Sequence, residues 1–191
     1  PVGSTNTILA GMYQDRGLMP SKGMAGMMAA AILSDTVMFK SPTCTDRDRK
    51  MAERLARMAD VSLDELGKAI FSGSLGNKTA QELLFTDYKE FHIAGHDIAV
   101  SQITCMDSEK MLERKDEFLS AMRDIRQEQR FNTVVLMITD VLLDGSQLLF
   151  VGDEDTIRQA FNLKGHDNCA FLPKVMSRKK QVIPTLSALW G

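Results

Sequence analysis

Cysteine is scarce here, and the few present do not pair. Cys44, Cys105 and Cys169 are odd in number, widely spaced and without a CxxC pair. That excludes a disulfide framework and points to reduced thiols in a cytoplasmic protein. Histidine is equally sparse. His92, His96 and His166 form no HxH, HxxH or HExxH spacing, so a local zinc motif is excluded. Neither sign of charge is in excess: 23 Lys and Arg stand against 25 Asp and Glu, for a net charge of −2. A general nucleic-acid binder, with its strongly basic face, is not expected. No apolar run reaches the roughly 18 residues that would suggest a membrane span. The longest, around residues 24–33, is broken by Gly26 and followed by Ser34 and Asp35. There is no signal peptide pattern, no GxxxxGK[ST] loop and no GxGxxG turn. No Ser/His/Asp or Cys/His arrangement can be picked out.

What is present is ordinary globular composition, 44% hydrophobic and 25% charged over 191 residues. That is enough for one large domain or two small ones. Ser4 or Thr5 can cap a helix running to about Asp15, with Ile8, Leu9, Met12 and Tyr13 on one face. Residues 21–39 are apolar nearly all round, which predicts a helix buried on most sides. Pro42 makes 40–45 a loop. Thr45 caps the next helix, with Asp46 and Asp48 at its positive end. Ser62 and Glu65 read as a capping box for a helix to about Phe71. The Gly/Ser-rich stretch 72–77, SGSLGN, is the candidate domain boundary. Beyond it the pattern changes. KEFHIAG and HDIAVSQITC read as strands joined near Gly95, and 108–130 as one long amphipathic helix. FNTVVLMITDV and QLLFVG read as strands around a DGS turn, followed by a short helix at 154–161. NCAFL and QVIPTL read as further strands. The expected fold class is α/β, a helical first part followed by a mixed sheet with helices.

Two places carry possible chemistry. Asp35 closes the small apolar run AAAILSD. A carboxylate there is either a partly exposed helix end or a metal ligand, and the second reading needs partners. The other place is VMSRKKQVIP, residues 175–184, where Arg178, Lys179 and Lys180 stand side by side between apolar runs. These cations are either a solvated strand edge or an anion clamp. Arg offers a planar fork to phosphate oxygens and Lys a compact charge. Adjacent cations repel one another unless a multivalent anion such as diphosphate sits between them.

The segments PVGSTNTIL, AAILSDTVMFKSPTCTDRD, TDYKEF, MITDVLLDGS and VMSRKKQVIP occur in that order. Together they closely resemble the family II inorganic pyrophosphatases, manganese-dependent enzymes of the DHH phosphoesterase superfamily, over essentially the whole chain. The resemblance implies that residues 1–71 are the C-terminal helical part of a DHH α/β domain and 72–77 a hinge. Residues 78–191 would be the DHH-associated C-terminal, substrate-binding domain. The superfamily's Asp-His-His signature and the family's early metal motif are not in this chain. With an opening that lacks Met, this leads us to expect a preceding segment. Position by position, the resemblance implies Asp35 as a metal ligand and Lys89, Arg178 and Lys179 as diphosphate-binding residues. Lys180 is left out, because neighbouring side chains in an extended segment point opposite ways. No catalytic residue is assigned. The implied activity is hydrolysis of diphosphate to two orthophosphates by a metal-activated bridging water. The implied metals are two or more manganese ions, with cobalt or magnesium as alternatives. The implied assembly is a homodimer without nucleic-acid or membrane partners. Without most of the metal ligands, the chain alone is expected to be inactive. A DHH exopolyphosphatase or nuclease, or a non-enzymatic phosphate-binding module, are the alternative readings.

Overall fold

The computed structural model describes residues 1–73 and 75–191. The chain forms two compact units, Pro1–Gly73 and Ser74–Gly191. Within the expected linker 72–77, Ser74 lies outside the described residues. Leu75–Asn77 forms a single 3₁₀ turn.

The first unit is helical. Helix α1 (Thr5–Asp15) starts at Ser4, whose side chain accepts from Asn6 N. Helix α2 (Lys22–Asp35) is capped by Ser21 in the same way. Helix α3 (Asp46–Ala59) begins with a reciprocal capping box between Thr45 and Asp48, and α4 (Leu63–Phe71) starts at Ser62. Ala10, Ala25, Ala29 and Ala52 are buried with Met28, Ile32 and Leu55. Small side chains at the contacts let helix axes approach closely. Helix α2 stops at Asp35 and does not continue to Phe39 as its apolar run predicts. Val37, Met38 and Phe39 take left-handed φ of 50°, 49° and 65°, at a cost of roughly 1–2 kcal/mol per residue. Thr36 holds the turn: its hydroxyl donates to Ile32 O at 2.6 Å and accepts from Phe39 N at 3.2 Å.

The second unit is built on a mixed sheet, which among the described residues has five strands in the order β1-β2-β3-β4-β5. They are β1 (Tyr88–Ile93), β2 (His96–Cys105), β3 (Thr133–Asp140), β4 (Gly145–Gly152) and β5 (Cys169–Pro173). Only β2 and β3 pair in parallel, which requires a crossover. Helices α6 (Ser108–Leu112) and α7 (Lys115–Gln129) supply it. Strand β3, TVVLMITD, is buried along its whole length, as expected of a strand covered on both faces. On one face Val134, Leu136 and Ile138 pack against Phe118, Met122 and Ile125 of α7, with Leu83 and Leu84 of α5 (Ala80–Leu84). On the other, Val135 and Met137 pack with Leu148, Phe150, Ile157 of α8 (Glu154–Ala160), Val182 and Leu186.

Two expectations are corrected here. Residues 108–130 are two helices, because Arg114 N donates to Met111 O at 3.1 Å and closes α6 in a tight turn. The apolar period continues across that break, so the sequence pattern does not register it. QVIPTL is no strand. Arg178–Val182 is a π-helical turn that runs into α9 (Ile183–Trp190). Pro184 falls in the first turn of α9, where a missing N–H costs nothing. Val182 and Leu186, four residues apart, both reach the core. A short apolar run does not distinguish helix from strand. Among the described residues no helix is long and apolar enough to cross a membrane.

Candidate functional site

In the first unit the polar centre is Asp48, not Asp35. Asp48 is fully buried. Its Oδ2 accepts from Gly3 N at 2.9 Å, Thr45 N at 2.7 Å and Thr45 Oγ at 2.7 Å. Its Oδ1 accepts from Thr7 Oγ at 2.5 Å and Ser4 N at 3.3 Å. Burial by itself would raise the carboxyl's pKa. The hydrogen bonds from Thr7, Thr45 and Gly3 outweigh it and bring the pKa down to about 2, since donors to the charged form favour ionisation. Gly3 is required by close approach: a Cβ there would stand 2.9 Å from Thr36 Cγ2 and 3.1 Å from Thr43 O. Asp35 lies beside this hub. It is exposed at the end of α2, and its Oδ2 accepts from Ser4 Oγ at 2.6 Å. Among the described residues no group of three or more His, Cys, Asp and Glu side chains could hold a metal ion. Asp35 is not part of any such group among the described residues.

In the second unit the sequence-predicted cations separate. Arg178 opens the π-helical turn and is only 5% exposed. Its Nη1 donates to Asp87 O at 2.8 Å and to Val100 O at 2.9 Å. Its Nη2 donates to Asp87 Oδ1 at 2.7 Å. The segment leading to it is pinned to polar side chains of the central strands. Ser146 Oγ donates to Val175 O at 2.6 Å, and Gln102 Nε2 to Met176 O at 3.2 Å. Lys89, on β1, is exposed and lies opposite Val100 in the antiparallel register. Directly opposed residues share a face, so Lys89 stands on the face that carries Val182 and Leu186, and its strand partner is the residue whose carbonyl Arg178 holds. The structure thus brings Arg178 to the start of edge strand β1, against the main chain of Val100, the strand partner of Lys89. Lys179, which follows Arg178 in sequence, is exposed. Lys180 points away, into a surface groove with Phe161, Val175 and Pro184. The reason given for leaving it out, an extended segment, does not hold in a helical turn.

Sequence reasoning treated Asp48 as a helix-dipole charge and missed Asp87. Thr45-x-x-Asp48 carried the capping-box signal. Asp87 lies inside TDYKEF but meets a residue 91 positions away, and no local pattern announces that. The histidines are not gathered. His92 Nδ1 pairs with Asp97 at 2.6 Å, and His96 stacks on Trp190 at 4.4 Å between ring centroids.

A helical unit followed by a mixed five-stranded sheet layered with helices on both faces defines an α/β protein of two units. Its second unit holds a buried guanidinium, that of Arg178, on two main-chain carbonyls and one carboxylate. The profile of the DHHA2 domain matches residues 64–189, and the chain belongs to that family. It is 40% identical over 191 residues to a probable manganese-dependent inorganic pyrophosphatase of Clostridium acetobutylicum, covering 98% of this chain and 62% of that one. It is 42% identical over 193 residues to a manganese-dependent inorganic pyrophosphatase of Methanothrix thermoacetophila, with the same coverage. It is 39% identical to a cobalt-dependent inorganic pyrophosphatase of Clostridium perfringens, covering 99% of this chain and 35% of that one. The fold matches the crystal structure of a Methanococcus jannaschii protein assigned to the family II inorganic pyrophosphatases. The TM-score is 0.85 at 33% identity, over 100% of this chain and 66% of that one. The chain therefore spans about 62% of the length of the first two relatives.

Proposed function

We propose that this chain is the diphosphate-binding portion of an inorganic pyrophosphatase, which adds water across the P–O–P bridge to give two orthophosphates. The observation that carries this reading is the buried guanidinium of Arg178, fixed at the start of edge strand β1, which also bears Lys89. A fixed planar donor suits phosphate oxygens, and the flexible Lys89 and Lys179 can close on the anion from the solvent side. In this reading residues 1–71 belong to a DHH domain, 72–77 are its hinge, and 78–191 are the substrate-binding domain.

These residues would offset charge on the bound anion. Diphosphate repels an incoming nucleophile, and charge moves to the leaving phosphate as the bridge bond breaks. Cations already in place meet that charge without reorganising. Asp35 would supply one ligand to a manganese or cobalt centre completed by residues outside this chain, with Ser4 fixing its carboxylate. Such a centre, when bound, supplies a water of lowered pKa.

The test is phosphate release from diphosphate by the full-length protein with added manganese. Arg178→Ala and Lys179→Ala should each lower kcat/KM by roughly 10²–10³-fold, as loss of a donor at developing charge does. Unchanged rates in both would return the basic run to a solvated surface. No hydrolysis by the unsubstituted protein would favour a phosphate-binding module without enzymatic activity.

A further inference from the structure

Arg178 is less free than a phosphate-gripping arginine needs to be. A guanidinium has five N–H donors in a rigid fork, and three contacts to fixed acceptors already engage its two terminal nitrogens. Two of the acceptors are main-chain carbonyls, Asp87 O just before β1 and Val100 O within β2. Those cannot swing away without breaking the strand, since Asp87 O also accepts from Gln102 N at 3.0 Å. The third is the Asp87 carboxylate, and it is the only one of the three that carries charge. The Arg178 side chain is 6% exposed and the Asp87 side chain 49%. Asp87 is thus half in solvent beside a nearly buried arginine, yet it spends one oxygen on that arginine. A carboxylate beside an anion site opposes binding by its charge. Its presence calls for a compensating role, and the geometry supplies one.

We propose that Asp87 is a positioning residue for anion recognition. It locks the Arg178 fork in the single orientation that leaves an edge for phosphate, two residues before Lys89 on the same strand end. This rests on the diphosphate reading above. The pair is neutral as a unit, so the attractive charge of the site comes from Lys89 and Lys179, and Arg178 contributes direction.

Positioning and simple electrostatics predict opposite signs. If Asp87 acted only as a nearby negative charge, both Asp87→Asn and Asp87→Ala would tighten anion binding. If it positions Arg178, Asp87→Ala loosens the fork and weakens binding, while Asp87→Asn keeps an acceptor oxygen and recovers most of the loss. The experiment measures two quantities on the full-length protein: diphosphate affinity by calorimetry without added metal, and kcat and KM with manganese. Thermal melting of each variant accompanies both. For Asp87→Ala the expected result is affinity weakened about tenfold and kcat lowered by up to about 10²-fold, the scale of an ångström-sized misplacement. Asp87→Asn should lie within about threefold of the parent in affinity, since it keeps the acceptor. Tighter binding in both variants overturns the proposal. So does activity that falls only in step with a lowered melting temperature at unchanged KM and affinity, which is what a purely structural residue would give. If the parent protein hydrolyses diphosphate and both variants match it, the positioning role alone falls. If the parent neither binds nor hydrolyses diphosphate, the functional reading falls and takes this proposal with it.

Discussion

Asp48 in the helical unit and Arg178 in the sheet unit are both buried, and their surroundings meet the charge differently. Asp140, also buried in the sheet unit, follows the Asp48 pattern and accepts from the main-chain N–H groups of Ser108, Leu142 and Leu143. Asp48, in the helical unit, has no countercharge among its hydrogen-bond partners. Five neutral donors from Gly3, Ser4, Thr7 and Thr45 surround it. Arg178, in the sheet unit, takes two carbonyls and one countercharge. A buried ion is costly unless its lone pairs or protons are met. The helical unit meets that demand with loop amides and hydroxyls, so the carboxylate staples residues 3–7 to the start of α3. At Arg178 the demand is met with main-chain carbonyls just before β1 and within β2, so the guanidinium ties the π-helical turn to those two strands. The first arrangement is satisfied and closed. The second reaches a half-exposed carboxylate and faces solvent, which is where recognition can occur.

The largest effect should come from emptying the closed hub. Asp48→Ala leaves main-chain N–H groups of Gly3, Ser4 and Thr45 without their acceptor, and the two hydroxyls must rotate to others. Each stranded buried donor costs about 1–3 kcal/mol, some of it recoverable by water. The expected loss is about 3 kcal/mol, at the upper end of ordinary single substitutions, read as a shift of the urea midpoint followed by circular dichroism. A shift under about 0.5 kcal/mol, the size of a surface substitution, would mean that the neutral cage contributes little.

Acid sharpens the same comparison. The Asp48 carboxyl sits at about 2 in the folded chain against an ordinary 3.8. A depressed carboxylate contributes stability that is fully present above its unfolded value and lost as pH falls through its folded one. The shift corresponds to about 2 kcal/mol, lost between about pH 4 and pH 2. The stability gap between the parent and Asp48→Ala should therefore narrow over that window.

How far the sequence reveals these sites depends on the range of the contacts. The capped helices, the β1–β2 turn at Gly95 and the buried β3 follow from spacing within a dozen residues, and they appear where that spacing predicts. The Thr45/Asp48 capping box is also local, so its geometry was readable while its burial was not. Gly3 and Ser4 reach Asp48 across 45 and 44 residues, and Arg178 reaches Asp87 across 91. Such pairs leave no periodic trace. The misread QVIPTL segment has another cause. Val182 and Leu186 do lie on one helical face, but a short apolar run does not distinguish helix from strand. Val37–Phe39 escaped notice because β-branched and bulky residues rarely adopt positive φ.

The smallest effect separates charge from shape. Arg178→Lys keeps the positive charge beside Asp87 and removes the fork. A lysine ammonium can meet Asp87 Oδ1 with one of its three donors, but it is a compact point charge and cannot also span the carbonyls of Asp87 and Val100. Val100 O, on a fully buried residue, is then the acceptor left behind. Carbonyls tolerate a missing partner better than N–H groups, so the stability loss should be about 1 kcal/mol, roughly a third of that for Asp48→Ala. Diphosphate affinity should fall by more than that loss implies, because the direction of the remaining donors is gone while the charge remains. A lysine variant that matched the parent in both would mean that the sheet unit uses Arg178 for its charge alone. Its difference from the neutral cage around Asp48 would then be only the sign of the buried ion.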